Sequence, residues 1–439
     1  MVAMSETLAR RGQPAKLPPI ARVRLRLATL AGDAVALASR VANRGSGASI
    51  RGKLLTRIDP HAFAELLAGR RIAAVTGTNG KTTTSHLLAA AIRAGLGGES
   101  DRLVTNADGA NLHYGIASAL AKARKADLAV IETDERVVSD MIAKGKPEVL
   151  VLLNFSRDQL DRNHEIKSLG RAWRAALEAA GDAGPVVVAN ADDPLVVWSA
   201  EKAAKIVWVD TATAWAADAA MCPACGTVLA RRDPEPGSDL PGDWDCPGCE
   251  LTQPAASWRV AGDTIVDPDG REWEPRLQVP GRFNVSNAAC ALAAAAAFGV
   301  PTDVGLHGMR TVSAPAGRFA TTRFGNTTAR LLLAKNPAGW AEALPIAKTP
   351  TVVLAIDSVA ADGKDVSWLW DVDYEQLAGR HVVATGPRAQ DLSVRLAYAE
   401  VEHTVVPDLA QALAGHRDPI DVIATYTPFQ KLLKMGGLR

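Results

Sequence analysis

The sequence has no long uninterrupted apolar run, since no window approaches the roughly 18 consecutive apolar residues of a membrane-spanning helix. The basic N-terminal stretch is not followed by an apolar core with a small-residue cleavage site, so no secretory signal is predicted. A charge excess is also lacking, because the formal net charge is +1, which gives no global attraction to nucleic acid. We therefore expect a cytoplasmic protein that neither spans a membrane nor binds nucleic acid.

Cysteine is scarce, and its arrangement is informative. Four of the five cysteines form two CxxC pairs and the fifth stands alone, a pattern that favours metal ligation over a disulfide framework. With 48% hydrophobic and 22% charged residues, the composition is that of a globular protein. The length of 439 residues predicts two or three domains.

Residues 1–55 are predicted to form an N-terminal helical segment. Between residues 20 and 45, apolar residues recur at mixed three- and four-residue spacings with arginines between them, as in an amphipathic helix. We interpret the arginine-rich face as solvated surface, and a membrane or partner contact is the alternative.

From residue 71 onward, short β-branched runs alternate with alanine-rich helical stretches. The runs are RIAAVT, LVTN, DLAVIE, EVLVLLNF, PVVVAN and KIVWVD. They predict a mostly parallel sheet with helices on both faces, an α/β nucleotide-binding core within residues 56–318. The alternation breaks at about residues 216–258 and resumes later, which predicts a small inserted module and a second, smaller α/β domain over residues 319–439.

A glycine-containing loop joins the first predicted strand to the next helix. Its residues are Gly77, Thr78, Asn79, Gly80, Lys81, Thr82 and Thr83. Glycines let backbone N–H groups turn toward phosphates, Lys81 can reach the terminal phosphates, and Thr82 can ligate Mg²⁺. The spacing departs from GxxxxGK[ST], because Val75 occupies the place of the first glycine. We predict an ATP-binding phosphate loop.

An acidic cluster follows another predicted strand. Glu132 ends the run DLAVIE, and Asp134 and Glu135 come directly after it. Ligands bind at the carboxyl ends of strands in open α/β sheets, and carboxylates suit Mg²⁺ because it is a hard cation. Glu132 is therefore a candidate magnesium ligand, with a solvated acidic loop as the alternative.

The two CxxC pairs are separated by twenty residues within the predicted inserted module. Their members are Cys222, Cys225, Cys246 and Cys249. Each pair forms a tight knuckle whose sulfurs can face one ion, and four thiolates match the closed tetrahedral site of structural Zn²⁺. We predict a four-cysteine zinc ribbon, with a redox CxxC as the alternative. Cys290 lies in an alanine-rich helix and is interpreted as a small buried thiol.

The GTNGKTT loop resembles that of the Mur ligase and folylpolyglutamate synthase superfamily, whose members join an amine to a carboxylate through an acyl phosphate. The resemblance implies that Glu132 binds Mg²⁺ and that Arg318 steadies the γ-phosphate. It also implies nucleotide-side positions for Asn190, Asn284 and Asn287. A turn or capping role is the alternative for Arg318 and the asparagines. Gln159 stands where most Mur ligases carry a metal-binding histidine, so a second metal site is not implied.

The cysteine module and two stretches of the last domain, LAKNPAGW and ADGKDVSW, resemble the MurT family. Members of that family phosphorylate the α-carboxylate of D-glutamate in the lipid II stem peptide, and ammonia displaces the phosphate to leave D-isoglutamine. A GatD-type glutaminase subunit supplies the ammonia, and no cysteine here lies in a nucleophile-elbow context. The resemblance thus implies an ATP- and Mg²⁺-dependent amidating ligase with a lipid-linked substrate, working near the inner face of the membrane.

The resemblance also implies that Asp365 completes the catalytic cysteine and histidine of the partner into a triad, where a carboxylate orients the imidazole. Two alternatives stay open at this position: Asp365 caps the helix that begins near Ser367, or Asp362 is the partner-facing carboxylate. For the whole chain, the alternative functions are a stand-alone ligase that adds an amino acid and a zinc-ribbon ATPase that binds nucleic acid.

Overall fold

The computed structural model describes residues 6–13, 17–41, 48–106, 110–156, 166–212, 220–232, 242–313, 319–359 and 362–438. The chain divides into two compact units. The first comprises residues 1–155, 167–277 and 282–312, and the second comprises residues 156–166, 278–281 and 313–439. Gln159 and Arg318 lie outside the described residues. The predicted domain boundaries stay a prediction.

The first unit contains helices α1 to α11 and strands β1 to β11 of the described residues. The helices are α1 (Glu6–Ala9), α2 (Pro19–Val41), α3 (Ala48–Ile58), α4 (Ala62–Leu67), α5 (Lys81–Leu96), α6 (His113–Lys122), α7 (Val138–Asp140), α8 (Ile166–Ala180), α9 (Pro194–Ala200), α10 (Arg282–Ala297) and α11 (Thr302–Met309). The strands are β1 (Arg71–Thr76), β2 (Leu103–Thr105), β3 (Leu128–Glu132), β4 (Val149–Leu152), β5 (Val186–Asn190), β6 (Lys205–Asp210), β7 (Ala230–Arg231), β8 (Trp244–Asp245), β9 (Trp258–Ala261), β10 (Thr264–Val266) and β11 (Glu272–Trp273).

The main sheet of this unit has the strand order β11-β10-β9-β6-β5-β4-β1-β3-β2. All pairings from β9 through β6 to β2 are parallel, whereas β9, β10 and β11 form an antiparallel meander. Every residue of β1, β3 and β4 is buried, because helices cover parallel sheets on both faces. The meander was not predicted, since strands of two to four residues are too short to show alternation.

Helices α5 and α10 pack against this sheet in one apolar core. Helix α10 is rich in alanine, and its small side chains let its backbone come close to the helix and strands beside it. As a result, the first turns of α5 and α10 meet at the phosphate loop, where Asn287 touches Gly80 and Thr84.

The second unit is a smaller α/β domain. Its strands are β12 (Phe319–Phe324), β13 (Thr327–Leu333), β14 (Thr351–Ala355), β15 (His381–Thr385), β16 (His403–Val405) and β17 (Ile420–Ala424), in the order β12-β13-β17-β14-β15-β16. Strand β12 pairs with β13 in antiparallel orientation, and the other pairings among these strands are parallel. Its helices are α12 (Pro337–Ala343), α13 (Ala389–Tyr398), α14 (Leu409–Ala412) and α15 (Tyr426–Met435). The predicted fold class, two α/β domains built on parallel sheets, is confirmed.

None of the helices in the described ranges is both long and apolar enough to cross a membrane.

Candidate functional site

The phosphate loop needs glycine at both of its glycine positions. Gly77 has a φ of +140° and Gly80 a φ of +83°, in the region of backbone conformation that favours glycine. A Cβ atom on Gly77 would lie 2.8 Å from Leu153 Cβ, and one on Gly80 would lie 2.3 Å from Asn287 Oδ1. Side chains at these positions would therefore push the loop away from the strand end and helix that support it.

Asn154, just beyond β4, holds the loop in shape. Its carbonyl oxygen accepts a hydrogen bond from the Thr78 N–H (2.9 Å), and its Oδ1 accepts one from the Asn79 N–H (2.8 Å). Its Nδ2 donates to the Asn79 carbonyl oxygen (3.2 Å). Sequence reasoning missed this role, although a polar residue directly after a buried strand was a signal for it.

The Lys81 ammonium lies at the base of the loop, and the whole residue is 7% exposed. Its Nζ donates to the carbonyl oxygens of Gly77 and Thr78, and it lies 3.2 Å from both carboxylate oxygens of Glu135. A positive charge is thus fixed at the N-terminus of α5, where the helix dipole also favours an anion. The arrangement suits the terminal phosphates of a nucleotide, with Thr82 in the first turn of the same helix.

Glu132 lies at the same edge of the sheet as the loop. It ends β3 opposite Val75 of β1, and it is 5% exposed. Asn106 fixes its backbone by accepting from the Glu132 N–H (2.8 Å) and donating to the Glu132 carbonyl oxygen (2.7 Å). The Asn111 side chain donates to Glu132 Oε1 (3.1 Å). A buried carboxylate fixed in this way, beside a phosphate loop, fits a Mg²⁺ ligand.

Two of the predicted asparagines meet the loop. Asn284 and Asn287 are buried in the first two turns of α10, and Asn287 Nδ2 donates to Asn284 Oδ1 (3.1 Å). The Thr84 hydroxyl donates to Asn287 Oδ1 (3.3 Å). The structure therefore brings these residues together with the phosphate loop, as the predicted nucleotide site requires.

Asn190 has a different environment. Its Nδ2 donates to the Leu153 carbonyl oxygen (2.9 Å), and its Oδ1 accepts from the Asp192 N–H (2.9 Å) and the Thr211 hydroxyl (3.0 Å). The neighbouring Asp193 caps α9. These bonds give Asn190 the turn role that was left open above, and a nucleotide contact for it stays a prediction.

The four cysteines of the inserted module come together. All four Sγ atoms lie within 4.8 Å of one another, with 3.4 Å between those of Cys225 and Cys246 and 3.6 Å between those of Cys222 and Cys249. Thiolates around a tetrahedral Zn²⁺, at Zn–S distances of roughly 2.3 Å, would be roughly 3.8 Å apart. The cluster could therefore hold a metal ion, and its four sulfur ligands leave no open position for a substrate.

The cysteine module is tied to the turn after β5. The buried Trp244 donates its Nε1–H to the Ala191 carbonyl oxygen (3.2 Å). Gln253 accepts from the Trp244 N–H through Oε1 (3.2 Å) and donates to Asp192 Oδ1 through Nε2 (3.1 Å). One side chain thus links the cysteine module to the acidic turn of the main sheet.

The connection continues from Asp192 to α10. Asp192 Oδ2 accepts from both the N–H (3.0 Å) and the hydroxyl (2.8 Å) of Thr211. The Ser286 hydroxyl, in the second turn of α10, donates to the Thr211 carbonyl oxygen (2.6 Å). Ser286 precedes Asn287 in the chain, so hydrogen bonds and one step along the backbone connect the cysteine module to the phosphate loop.

Cys290 lies apart from this module, in the interior of α10. It is 1% exposed, and burial raises the pKa of its thiol to about 12. A thiol in this state is a poor nucleophile, in keeping with its interpretation as a small buried side chain.

In the second unit, the two candidate carboxylates differ in accessibility. Asp362 is 4% exposed, and its Oδ1 accepts from the Thr427 N–H (2.8 Å) in the first turn of α15. Asp365 is exposed, and its Oδ1 accepts from the Ser367 N–H (2.8 Å). That hydrogen bond lowers the pKa of the Asp365 carboxyl. Val366 occupies the N-cap position of the short 3₁₀ helix Ser367–Asp371, so the bond to Ser367 ties Asp365 to the start of that helix from one residue further away. Of these two carboxylates, Asp365 is the one that another protein could reach.

Comparison with known proteins shows which families the chain resembles. The family described as Mur ligase middle domain matches residues 75–224, and the MurT ligase C-terminal family matches residues 333–429. The lipid II isoglutaminyl synthase (glutamine-hydrolyzing) subunit MurT of Staphylococcus aureus (strain N315) is 28% identical over 396 residues, which cover 85% of this chain and 88% of that protein. The chain thus matches a Mur ligase middle domain and a MurT-type C-terminal domain, and it is similar to MurT subunits over most of its length.

Two further proteins are consistent with these matches. The MurT subunit of the same synthase from Streptococcus pneumoniae (strain ATCC BAA-255 / R6) is 28% identical over 430 residues, 89% of this chain and 93% of that protein. The solved structure of a pseudomurein peptide ligase type C from Methanothermus fervidus has a TM-score of 0.62 at 19% identity, covering 84% of this chain and 80% of its own. That second likeness shows a Mur ligase fold. Mur ligases depend on ATP and Mg²⁺, and the MurT relatives are named as subunits of a complex.

Proposed function

We propose that this chain is the ligase subunit of a glutamine-dependent lipid II isoglutaminyl synthase. Its reaction is the ATP-dependent amidation of the α-carboxylate of D-glutamate in the lipid II stem peptide. A carboxylate oxygen of the substrate attacks the γ-phosphorus of ATP and ADP leaves, which gives an acyl phosphate. Ammonia then attacks the acyl carbon and phosphate leaves, which gives D-isoglutamine. The observation that carries this proposal is the presence, in one chain, of a phosphate loop and a MurT-type last domain with an exposed carboxylate.

The residues of the first unit have distinct roles in the proposed reaction. The Gly80 amide and the Lys81 ammonium bind the terminal phosphates, and they stabilise the charge that develops during phosphoryl transfer. The Thr78 and Asn79 amides instead hold the loop in shape through Asn154. Thr82 and Glu132 would hold Mg²⁺, which neutralises phosphate charge when bound. Arg318 is assigned to the γ-phosphate, because a guanidinium can bind phosphate oxygens through two parallel hydrogen bonds.

The nucleoside side of ATP is assigned to Asn190, Asn284 and Asn287. The four cysteines would hold a structural Zn²⁺, because four thiolates prefer this ion in a closed tetrahedral site. Cys246 and Cys249, when bound to the ion, would fix the segment that leads to Gln253.

The second unit is assigned to the part of the reaction that supplies ammonia. Asp365 faces a GatD-type glutamine amidotransferase subunit, where it orients the imidazole of the cysteine–histidine pair that hydrolyses glutamine. Because lipid II is anchored in the membrane, the complex works at the inner face of the bilayer as a peripheral protein. No nucleic acid takes part in the proposed reaction.

The reaction can be tested with the purified chain, ATP, lipid II and free ammonium. We expect ammonium to be incorporated and no amino acid to replace it. With ¹⁸O in the substrate α-carboxylate, the released phosphate should carry one label, because one carboxylate oxygen moves with the phosphoryl group. Unlabelled phosphate would contradict the acyl phosphate. Activity with an amino acid but not with ammonium would favour the alternative, a stand-alone amino-acid ligase.

Replacing Gln253 with alanine should raise the KM for ATP by about three- to tenfold and leave kcat nearly unchanged. The substitution removes one hydrogen bond to Asp192 and one from the Trp244 N–H, each contributing about 0.5–1.5 kcal/mol. Asp192 in turn positions Thr211 and hence the start of α10. Steady-state kinetics and nucleotide titration would measure the change. The matched control is Arg232→Ala, which removes an exposed ion pair of the same module. An unchanged KM for Gln253→Ala would refute a link between the module and the ATP site.

A further inference from the structure

Helix α2 exposes a stripe of large aliphatic side chains, called here the α2 stripe. Its members and their exposed fractions are Ile20 82%, Val23 56%, Leu27 59%, Leu30 65% and Leu37 58%. Ala34, also exposed, fills the gap between Leu30 and Leu37. Steps of three and four residues place all six on one side of an α-helix.

The opposite side of α2 provides its packing within the first unit. Ala28, Thr29 and Ala36 are buried there. A Cβ atom on Gly32 would lie 3.1 Å from the Arg51 carbonyl oxygen, which shows how closely α2 and α3 approach. The helix is therefore already anchored, and the stripe is not needed to hold it.

The α2 stripe has the properties of a binding surface. A helix that is apolar on both sides is normally covered on both, and soluble proteins rarely expose contiguous aliphatic surface of this extent without using it for binding. Within the described part of the chain, however, the stripe stays open to solvent.

The charges along α2 indicate which partner fits. Arg22 and Arg26 are exposed beside the stripe, and neither forms an ion pair with a carboxylate among the described residues. Asp33, the acidic residue of α2, already forms an ion pair, because its Oδ1 lies 2.7 Å from Nε of the buried Arg51. Arg24 pairs with two carboxylates across the helix contact. The uncompensated charge beside the stripe is therefore positive.

We propose that α2 lies in the plane of an anionic lipid bilayer surface, with the α2 stripe in the acyl boundary and Arg22 and Arg26 on headgroup phosphates. An aliphatic face flanked by arginines is the pattern of an interfacial helix, and the anionic cytoplasmic leaflet attracts such arginines. A second copy of the chain fits less well. It would bury the same stripe, but it would offer Arg22 and Arg26 no unpaired carboxylate, since Asp33 is already engaged by Arg51.

This inference rests on the proposed function in one respect, since a lipid-linked substrate would lie in the same bilayer. Sedimentation of the full chain with lipid vesicles tests it without any activity. We expect binding to vesicles that contain phosphatidylglycerol, weaker binding to pure phosphatidylcholine vesicles, and a decrease with added salt. The double variant Leu27→Asp with Leu30→Asp should bind at least about tenfold more weakly, because it places two charges in the acyl boundary.

Two controls keep this test specific. Val394→Asp alters an aliphatic residue of similar exposure, 52%, in α13, and it should bind vesicles like the wild type. Arg22→Glu with Arg26→Glu should remove the preference for anionic lipid. Because all of these side chains are exposed, the thermal unfolding temperature should change little in every variant.

Three outcomes would overturn the inference: no sedimentation of the wild type with anionic vesicles, equal binding by the double variant, or a stripe-dependent dimer in solution without vesicle binding. Amidation of a water-soluble substrate that lacks the lipid tail separates this inference from the proposed function. Wild type and double variant should amidate it equally well, whereas failure of the wild type on that substrate would count against the function and not against the stripe.

Discussion

Replacing Lys81 with alanine should lower amidation by about 10²–10³-fold or more with either ammonium or glutamine as the nitrogen source. The substitution removes the positive charge at the N-terminus of α5. It also leaves the Glu135 carboxylate without its counter-charge, since that carboxylate lies 3.2 Å from Lys81 Nζ in the wild type. An uncompensated carboxylate at this point would repel the phosphates that the loop is built to bind. Rates of ADP formation and of amide formation should fall together.

Because Lys81 is buried, its removal also leaves space in the loop. Lys81→Met keeps most of the aliphatic stem and removes only the charge, so it should lose activity to the same extent while unfolding like the wild type. Lys144→Ala is the matched control, since Lys144 is half exposed and pairs with Asp140 on the surface. Retention of more than about a tenth of the activity by Lys81→Met would contradict the assignment of the phosphate loop, because a lost charge interaction of this kind has a larger effect.

The strands of both units could be predicted from the sequence because parallel strands are buried on both faces. DLAVIE and PVVVAN are continuous apolar runs, and they form β3 and β5 with every residue but one buried. The antiparallel strands β9 to β11 escaped prediction because they are short and lie beyond the cysteine module, where few apolar runs occur. Periodicity therefore identified the nucleotide-binding core, but it gave neither the strand order nor the sheet edge.

At the candidate site, the residues that could be predicted from the sequence are those that belong to a short local motif. The phosphate loop and the two CxxC pairs are of this kind, since neighbouring residues provide most of each arrangement. Asn154 and Gln253 are different, because their partners are 75 and 61 residues away in the sequence. Their roles depend on which strands become neighbours, and a single sequence does not contain that information.

Accessibility is a further property that only the structure provides. Asp362 and Asp365 are three residues apart and equally acidic, yet one is bonded to the start of α15 and the other is exposed. Likewise, the spacing in α2 predicts a helix with apolar residues, but the choice of which side packs on α3 follows from Gly32 and its small neighbours.

Replacing Asp365 with asparagine should lower glutamine-dependent amidation by about 10²–10⁴-fold and leave the ammonium-dependent rate within about twofold of the wild type. Asparagine is isosteric with aspartate, and its Oδ1 can accept the same hydrogen bond from the Ser367 N–H. The local turn therefore persists and only the negative charge is lost. Without that charge, the imidazole of the partner is neither oriented nor stabilised in its charged form, whereas ammonia added from solution bypasses the glutaminase.

The measurement is glutamate release and amide formation by the complex with the GatD-type subunit, with glutamine and with ammonium in parallel. Asp373→Asn is the matched control, because Asp373 is also exposed and accepts a hydrogen bond within its own helical turn, at 3.3 Å from Gln376. Asp362→Asn also keeps an acceptor for the Thr427 N–H, so it should leave both rates close to those of the wild type. If Asp365→Asn lowers both rates equally, its carboxylate is structural, and if Asp362→Asn alone removes the glutamine-dependent rate, the partner-facing role belongs to Asp362.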